Sequence, residues 1–417
     1  MNSPRCDVAI VGAGAAGLAT AIFARRFNQS ITVTVLDGAR APGAKILVSG
    51  GSRCNVTNAS VTERDFWGGS AAMIRRVLHA FPVADTISFF REIGVQLHEE
   101  PGGKLFPDTN RARDVLDALV AETRRVGATI AAGTRVHDIV AADGGFRVVT
   151  GSGDLTADRV VLATGGRALP KSGSDGAGYG IARRAGHTIV EPTPALVPLL
   201  LDDSDRVHAE VSGVAHDVEL ALRVDGAIAI RLTGAMLWTH FGISGPVVLN
   251  ASRHWLRAQL EGRQVALSAN VCPGRGFDGV DDEWQRLAKT SPRISVQTAL
   301  AALVPASVAS ALLRQLALDG GVALAHFARD DRRRLIRALI EWPLPVTGSR
   351  GYTFAEATAG GVALTEIDAR TMGSRVADGL SLVGEILDVD GRIGGFNFQW
   401  AWSSGFVAGR ALARCGE

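Results

Sequence analysis

Three glycines near the start of the chain have the spacing of a loop that binds nucleotide phosphates. Residues 12–17 are GAGAAG, and they lie between an apolar run at 6–11, of buried-strand type, and a run at 18–26 that favours a helix. In a G-x-G-x-x-G loop the first glycine permits the tight turn, the second lets the backbone approach a pyrophosphate, and the third lets helix and strand pack closely. The helix N-terminus then offers unpaired N–H groups and the positive end of its dipole to the phosphates.

An acidic residue follows the next predicted strand, as the fingerprint requires. A second apolar run at 31–36 ends on Asp37, about 20 residues after Gly17. A carboxylate at this position accepts hydrogen bonds from an adenosine ribose and disfavours a 2′-phosphate, so NADP is not expected in this loop. The fingerprint alone does not separate NAD from FAD. Glycine is frequent here, at 49 residues, but the two strands, the helix and the acid argue against a chance match.

A second glycine-rich segment carries polar side chains suited to a flat ring. Residues 49–58 place Gly50 and Gly51 beside Arg53 and Asn55. Small residues let the backbone lie against a ring, and Arg and Asn supply hydrogen-bond donors to its oxygens. A mobile surface loop is the alternative interpretation.

A predicted hairpin and strand continue the same domain. Residues 134–140 and 146–150 flank an Asp-Gly-Gly turn, and the apolar strand 159–162 ends in the ATGG segment 163–166. We expect an adenine ring to rest on the backbone of Val136, at the entry to the hairpin.

The C-terminal part returns to the pattern of the first domain. A strand at 380–385 ends on Gly384 and Glu385, a glycine-rich loop follows at 388–399, and 400–410 forms a small-residue helix. FAD is a long molecule, so its ADP half can lie on the N-terminal unit while its ribityl chain and ring need contacts from far along the sequence. The two-ended arrangement therefore favours FAD over NAD.

The C-terminal residues also have specific expected roles. Glu385 or Asp388 can accept hydrogen bonds from ribityl hydroxyls. The dipole of the helix that begins after Gln399 can stabilise negative charge on the reduced ring, which tunes its redox potential.

Composition sets the limits within which these motifs act. The chain has 417 residues, which is enough for two or three domains. Its charge is nearly balanced, with 44 Lys and Arg against 42 Asp and Glu, so the net charge does not by itself indicate binding to nucleic acid or to an anionic membrane. Four scattered cysteines (Cys6, Cys54, Cys272 and Cys415) form no C-x-x-C pair, so no zinc site or other metal site is expected. They fit a reducing, cytoplasmic location, and the apolar stretch 9–24 is too short to span a membrane.

Between the two ends the pattern of residues changes. From about Pro192 the chain alternates apolar and polar residues around an Asp-Gly turn at 225–226, and from 273 it takes on helical spacing. We predict an α/β fold: a Rossmann-like FAD-binding domain of glutathione-reductase type, an inserted β-rich, barrel-like domain and a small helical domain. The predicted bounds are 1–191 with 350–417, 192–272 with about 343–349, and 273–342.

Taken together, the motifs resemble the aminoacetone-oxidase-like, bile-acid-reductase-like family of FAD-binding flavoproteins. Seven segments carry the resemblance in order: 12–17, 45–58, 162–166, 239–246, 358–362, 384–391 and 394–399. Ser52 stands where glycine is usual in the family, and Phe396 where tyrosine is common. The resemblance implies hydride transfer through flavin N5 between NAD(P)H or oxygen and a small organic substrate, by amine oxidation or by reduction of a conjugated C=C.

The resemblance also implies the site residues. We expect Arg53, Cys54 and Asn55 beside the isoalloxazine and the 239–246 loop near the substrate, with His240 as a candidate acid or base. A packing role for Cys54 and a structural role for His240 are the commoner alternatives. The expected cofactor contacts are Gly12, Gly14, Ala15, Ala16, Gly17, Asp37, Gly38, Lys45, Ser49, Gly50, Gly51, Arg53, Cys54, Asn55, Val136, Ala163, Thr164, Gly165, Gly166, Gly384, Glu385, Asp388, Gly394, Gly395, Asn397, Phe398 and Gln399.

Two other functions remain open at this stage. The family also includes a reductase of uridine in ribosomal RNA, and the arginines at 332–337 on a predicted helix provide a candidate RNA surface, although a solvated helix face is the commoner interpretation. A non-catalytic nucleotide-binding module is the third possibility. Because no second complete fingerprint is present, with a strand before the glycines and an acid after the next strand, NAD(P)H is expected to act, if at all, as a transiently docked reductant.

Overall fold

Two units of structure account for the chain. The computed structural model describes residues 4–202, 204 and 207–414. One unit comprises Met1–Ala195 with Ala355–Glu417, and the other comprises Leu196–Phe354. Cys415 lies outside the described residues.

The first unit contains the elements from both ends of the chain. Its N-terminal part holds β1 Arg5–Val11, α1 Ala15–Phe27, β2 Val33–Asp37, α2 Ala44–Ser52, β3 Thr57–Asn58, β4 Phe66–Gly68, α3 Ala71–Ala80, α4 Val83–Glu92, β5 Leu97–Glu100, β6 Lys104–Pro107, α5 Ala112–Arg125, β7 Thr129–Ala132, β8 Val136–Ala142, β9 Gly145–Thr150, β10 Leu155–Leu162, α6 Ala177–Arg184 and β11 Ile189–Ala195. The second unit follows with β12 Leu199–Leu201, α7 Val207–Glu210, β13 Ala215–Val224, β14 Ala227–Thr239, β15 Gly242–Ser244, α8 Pro246–Leu260, β16 Val265–Asn270, α9 Phe277–Thr290, α10 Val296–Ala301, α11 Ala306–Gln315, α12 Arg329–Ile340, β17 Trp342–Leu344 and β18 Val346–Ser349. The chain returns to the first unit with β19 Ala357–Val362, β20 Ile367–Asp368, β21 Gly373–Ser374, β22 Leu380–Leu382, β23 Val389–Gly391 and α13 Phe396–Ala413.

A parallel sheet forms the centre of the first unit. Its strands lie in the order β7, β2, β1, β10 and β22, with β1 aligned on β2 through Val8 and Val33 and on β10 through Val8 and Arg159. The C-terminal halves of β1 and β10, residues 8–11 and 160–162, are unbroken apolar runs and are buried, as expected where both faces of a parallel sheet are covered. The C-terminal strand β22 therefore pairs directly with β10 in the sheet that the N-terminus begins. The predicted Rossmann-like α/β fold is confirmed.

Two helices from opposite ends of the chain cross at very short range. Both α1 and α13 contain many small residues, and α13 buries 13 of its 18 residues. A Cβ on Gly405 would lie 2.9 Å from the carbonyl oxygen of Ala16, and one on Gly409 would lie 2.8 Å from the amide nitrogen of Ala24. Backbone approach of this kind is available only to glycine, so the two ends of the chain are joined by packing that tolerates no added methyl group.

The second unit joins a sheet and helices around one core. Seven antiparallel strands lie in the order β17, β16, β13, β14, β15, β12 and β18. Residues from that sheet, such as Leu220 and Trp238, share one buried cluster with helical residues such as Leu300 and Leu335. The β-rich and helical segments that the sequence suggested as separate domains thus belong to a single unit here.

Several predicted elements agree with the structure and others differ at their ends. The Asp-Gly hairpin at 225–226 joins β13 to β14 as predicted. The C-terminal helix begins at Phe396 instead of residue 400, because Gly395 with φ of +94° takes the N-cap position. The segment 358–362, one of those that carry the family resemblance, is part of β19, which pairs with β11. The predicted loop from 49 onward opens with the end of α2, which is broken at Ser49.

No helix within the described ranges combines the length and apolar character needed to cross a bilayer.

The packing of α13 on α1 can be tested with a matched pair of glycine substitutions. Gly405→Ala should lower the free energy of unfolding by about 1–3 kcal/mol, because the new methyl group meets backbone that cannot move away. Gly180→Ala, in α6 of the same unit, meets only the end of the Arg184 side chain and should raise stability by about 0.5–1 kcal/mol. Urea unfolding followed by circular dichroism measures both, and equal effects would contradict the close crossing.

Candidate flavin site

The loop at 12–17 forms at the carboxyl end of β1, where the chain enters α1. Gly12 has φ of +108°, and a Cβ there would overlap the carbonyl of Ala163. A Cβ on Gly17 would overlap the carbonyl of Gly12. Gly14 differs, because no atom lies within 4 Å of the position that its Cβ would take. Two of the glycines are therefore required by the fold, while the third leaves open space in front of the helix.

The N-terminus of α1 has the properties of an anion site. Gly14 is the N-cap and offers no side-chain hydrogen bond, and the first turn, which includes Ala15 and Ala16, contains no acidic residue. The first N–H groups and the positive end of the dipole therefore have no compensating side chain. A pyrophosphate would supply that compensation.

Asp37 holds the loop in place and keeps capacity for a ligand. Its Oδ2 accepts a hydrogen bond from the N–H of Ala13 at 2.7 Å, and its Oδ1 accepts one from Ala39 at 2.8 Å. A carboxylate has about four acceptor sites, so roughly two remain for ribose hydroxyls. The acid thus connects the phosphate loop to the end of β2.

Gly38 and Val136 lie at the same edge of the sheet. The N–H of Thr134 donates to the carbonyl of Asp37 at 2.7 Å, and a Cβ on Gly38 would lie 2.8 Å from Cδ of Arg135. Val136 follows directly as the first residue of β8 and is buried. The backbone expected to hold the adenine is therefore next to the acid expected to hold the ribose.

Three buried oxygen atoms without hydrogen-bond partners surround the turn after β10. Among the described residues, nothing bonds Thr164 Oγ1, Ser174 Oγ or Glu385 Oε1. A Cβ on Gly165 would lie 2.8 Å from Ser174 Oγ, and a Cβ on Gly166 would lie 3.1 Å from Glu385 Oε1. Unsatisfied buried oxygens are costly, so such a cluster suits a ligand rich in hydroxyl groups.

The C-terminal acid reaches this turn from the far end of the sequence. Gly384 packs on α1, since a Cβ there would lie 2.7 Å from the Cβ of Ala16. Glu385 forms an ion pair through Oε2 with Lys45, and its side chain is 19% exposed. The structure thus brings Lys45, Glu385 and residues of the 12–17 loop together.

The segment that follows α2 owes its shape to left-handed backbone. Gly50, Gly51, Ser52 and Cys54 all have φ between +54° and +67°. Glycine adopts this region at no steric cost, which is the physical reason to expect glycine at position 52, where this chain carries serine. A Cβ on Gly51 would meet no atom within 4 Å, so the backbone faces open space.

Asparagines fasten this segment to the C-terminal glycines. With its amide oriented to suit its neighbours, Asn55 accepts a hydrogen bond from the N–H of Gly395 at 3.1 Å and donates to the carbonyl of Thr57 at 2.8 Å. Asn58 Nδ2 donates to the carbonyl of Gly394 at 3.1 Å. Asn55 is therefore committed to positioning the 394–395 turn.

Gln399 and Asn397 have structural roles that differ from those expected. The Gln399 carboxamide is buried, accepts hydrogen bonds from the hydroxyls of Thr57 and Thr86, and donates to the carbonyl of Phe81. The Asn397 side chain bonds both the N–H and the carbonyl of Gly391, at 2.8 and 2.9 Å. Both side chains are used in hydrogen bonds within the protein, and cofactor binding at these two positions stays a prediction for their backbone groups.

The helix end itself remains available. α13 begins after Gly395, has no side-chain cap and no acid in its first turn, and Phe398 stacks on Trp402 with 5.5 Å between ring centroids. Asp388, the other acid expected near the ribityl chain, anchors its segment by backbone bonds to Val362 and Gly69, both at 2.9 Å. The first unit therefore presents a second uncompensated helix N-terminus.

Arg53 is oriented by residues that sequence reasoning missed. Its guanidinium forms hydrogen bonds of 2.6 and 3.3 Å with the Glu100 carboxylate and lies 4.0 Å from the centre of the Phe106 ring. These bonds hold the pKa of Glu100 below its usual range. Turn residues around 101–107 were visible in the sequence, but nothing there indicated that the hairpin would fold onto Arg53.

Cys54 is a packing residue in this structure. Its side chain is fully buried, and burial raises the pKa of its thiol to about 12. The thiolate is the nucleophilic form of cysteine, and it is absent at neutral pH under these conditions. Cys6 and Cys272 are likewise buried and unbridged. A redox role for Cys54 is not supported, in contrast to its inclusion among the expected catalytic residues.

His240 belongs to the second unit. It is exposed on the bend between β14 and β15, with its ring 5.1 Å from that of Phe241 and nearly perpendicular to it. The guanidinium carbon of Arg350 lies over the Phe241 ring, 4.5 Å from its centre. No three His, Cys, Asp or Glu side chains within the described part of the chain are grouped as metal ligands would be.

Comparison with known proteins identifies the relatives of this chain. The family model described as HI0933-like protein Rossmann domain matches residues 6–411. The chain belongs to the HI0933-like family. A 3-dehydro-bile acid delta(4,6)-reductase from Clostridium scindens is 34% identical over 406 residues, which are 97% of this chain and 98% of the relative. A ribosomal RNA dihydrouridine synthase from Escherichia coli K12 is 32% identical over 409 residues, 98% of each chain.

Solved structures agree on the fold of this HI0933-like protein. An E. coli quinol fumarate reductase FrdA variant aligns with a TM-score of 0.51 at 16% identity, covering 99% of this chain and 70% of the other. A quinol-fumarate reductase with menaquinol aligns with a TM-score of 0.52 at 17% identity, covering 100% and 72%. The predicted family resemblance is confirmed, and the chain is an oxidoreductase of the FAD-binding Rossmann class.

The residues present fit FAD. The uncompensated N-terminus of α1, with Gly14 in front of it, suits the pyrophosphate, and the unpaired oxygens around Gly165 and Gly166 suit a ribityl chain. The N-terminus of α13 suits the electron-rich edge of the ring. Thr358 and Ser174, which shape the 165–166 turn, were not among the predicted site residues, because their contacts are made only by tertiary folding.

Two glycines of the loop should separate ligand binding from folding. Gly14→Val introduces a side chain into open space at an extended backbone position, so the protein should fold normally while losing bound FAD by more than tenfold. Gly17→Ala should instead lower stability, because its methyl group overlaps the Gly12 carbonyl. Visible absorption and circular dichroism of both variants test this, and full FAD content in Gly14→Val would contradict the assigned phosphate position.

The burial of Cys54 predicts slow alkylation of its thiol and a loss of folding stability at high pH. In the unfolded chain the thiol ionises near pH 8.5, whereas in the folded chain it stays protonated to about 12, so stability is full below pH 8.5 and falls as the pH rises. Between pH 8 and 10 this one group should cost about 2 kcal/mol.

Urea unfolding at the two pH values measures that loss, and Cys54→Ala should show correspondingly less of it. Iodoacetamide at pH 8 should label Cys54 only after urea is added, since the native thiol is buried and neutral. Rapid labelling of the native protein would show that the site opens.

Proposed function

We propose that this protein is an FAD-dependent reductase that acts on a C=C bond conjugated to a carbonyl group. One observation carries the proposal: a single unit contains two helix N-termini, those of α1 and α13, that have no side-chain cap and no acid in the first turn. The same unit contains buried side-chain oxygens without hydrogen-bond partners at Thr164, Ser174 and Glu385. This set of groups suits a cofactor with a pyrophosphate at one end and a reducible ring at the other.

The substrate class follows from what the named relatives have in common. A delta(4,6)-reductase of a 3-dehydro bile acid acts on C=C bonds conjugated to a ketone, and a dihydrouridine synthase acts on a uracil C=C conjugated to a ring carbonyl. Both reactions add one hydride and one proton across an electron-poor double bond. We therefore favour conjugate reduction over amine oxidation for this chain.

The chain's own groups have defined roles in such a reaction. Bound FAD supplies hydride chemistry at N5. The N-terminus of α13 stabilises negative charge at the edge of the ring through its unpaired N–H groups. Arg53, held by Glu100 and Phe106, offers a fixed cationic hydrogen-bond donor. Buried Cys54 takes no part.

The balance of the reaction requires a two-electron donor. NAD(P)H and one proton are consumed, NAD(P)⁺ is released, and the substrate gains two hydrogens at its former double bond. The chain has only one dinucleotide fingerprint, which we assign to FAD, so NAD(P)H is proposed to dock transiently.

Anaerobic reduction and reoxidation test the proposal. The purified protein should be yellow, NADH or NADPH should bleach it, and an α,β-unsaturated ketone should restore the colour with one equivalent consumed per flavin. The saturated ketone is the matched control and should have no effect. If amines bleach the oxidised protein and only oxygen restores the colour, the protein is an amine oxidase and conjugate reduction is wrong.

A further inference from the structure

An arginine of the second unit lies against two aromatic rings. The guanidinium carbon of Arg350, the residue after β18, is 3.4 Å from the centre of the Phe354 ring and 4.5 Å from the centre of the Phe241 ring. Such contacts are made between the positive charge and the faces of the rings. They use none of the five N–H donors, which lie in the plane of the guanidinium group and stay available for hydrogen bonds.

The donors of Arg350 have no acceptor in the part of the chain that the structure describes. There the guanidinium group forms no ion pair and donates no hydrogen bond. Three other arginines of the same unit, Arg223, Arg263 and Arg332, each pair with a carboxylate at 2.6–2.9 Å. Because Arg350 is also partly buried, its charge is less completely hydrated than that of a fully exposed arginine, which favours binding of a counter-ion.

Main-chain hydrogen bonds hold the charge and the two rings in place. The N–H of Arg350 donates to the carbonyl of Pro198 at 3.1 Å, next to β12. The carbonyl of Phe241 accepts a hydrogen bond of 3.2 Å from the N–H of Leu201, at the end of the same strand. The guanidinium group is therefore positioned before a ligand arrives, which lowers the entropic cost of binding.

Apolar and polar groups accompany this charge. The Phe354 ring is 45% exposed although it is a large apolar side chain. On the bend that carries Phe241, His240 is exposed, and the hydroxyl oxygen of Thr239 is buried without a hydrogen-bond partner among the described residues. A few fixed polar groups beside an accessible ring are typical of sites that bind small molecules.

We propose that Arg350 binds an oxyanion, a carboxylate or phosphate group of a small molecule, through two parallel N–H···O bonds, and that Phe354 contacts the rest of that molecule. The planar fork of a guanidinium group matches two oxygen atoms of either anion. The proposed reaction offers two carriers of such a group, an acidic substrate and the pyrophosphate of NAD(P)H. Only the identity of the carrier rests on the proposed function, since binding itself can be measured without any flavin reaction.

Two probes that differ only in charge test the site. The full-length FAD-loaded protein is titrated with 4-fluorobenzoate and, separately, with 4-fluorobenzamide, and binding is followed by fluorine NMR. The wild type should bind the acid about tenfold more tightly than the amide, because hydrogen bonds between charged partners are roughly twice as strong as neutral ones. Arg350→Gln should abolish this preference, and Arg350→Lys should keep only part of it, since lysine lacks the planar fork.

Arg293→Gln is the matched control. It removes one positive charge from an exposed position of the same unit and should leave the preference for the acid unchanged. A purely structural role of Arg350 would weaken binding of the acid and the amide alike. Equal loss of both probes in Arg350→Gln, an unchanged preference in that variant, or equal affinities of the wild type for the two probes would overturn the proposal.

Kinetics of the same variant identify the carrier of the oxyanion. If the substrate carries it, Arg350→Gln should raise KM about tenfold for an unsaturated ketone that bears a carboxylate and leave KM for the corresponding amide unchanged. If the reductant carries it, half-maximal flavin reduction should need about tenfold more NADH or NADPH, and both ketones should be affected equally. No change in either measurement would overturn the assignment to a reactant. A protein that prefers the acid probe as expected but reduces no unsaturated ketone would contradict the proposed function alone.

Discussion

The close crossing of α1 and α13 is the constraint on which the first unit depends. Glycines at 405 and 409 let the backbone of the last helix meet that of the first. Because the crossing is fixed, Gly384 lies against Ala16 and β22 pairs with β10. The N-terminus of each helix is held by the same packing, so the two positive helix ends are positioned by the core of the unit and not by flexible loops.

The polar residues of the candidate site are used mainly to shape backbone. Asn55, Asn58 and Asn397 hold turns through hydrogen bonds to main-chain groups, and Gln399 is consumed by a buried network with Thr57. What remains for a ligand is largely main-chain N–H at two helix ends together with a few unpaired oxygens. A site of this kind is rigid, because its donors cannot rotate away, and such preorganisation is what electrostatic stabilisation of charge requires.

Charge in the second unit is divided in a similar way between structure and surface. The run of arginines on α12 looks uniform in sequence, yet Arg332 and Arg334 form ion pairs while Arg333 and Arg337 line a groove beside β16 and β17. Helical periodicity separates them, since neighbours in sequence point in directions about 100° apart. A basic cluster therefore has to be judged side chain by side chain before it is assigned to a partner.

The sequence by itself determined the strand, the glycine loop, the helix and Asp37, because these are local patterns in which steric needs select residue types directly. It also indicated FAD, since the glycine-rich C-terminal segment required a ligand long enough to span both ends. Only the tertiary structure decided that Arg53 is held by Glu100 and Phe106, that Cys54 is buried and neutral, and that Gln399 is structural. It also decided that α13 begins at Phe396. Burial, pairing and the pKa of a side chain depend on neighbours distant in the chain, and no local pattern of residues encodes which neighbours those are.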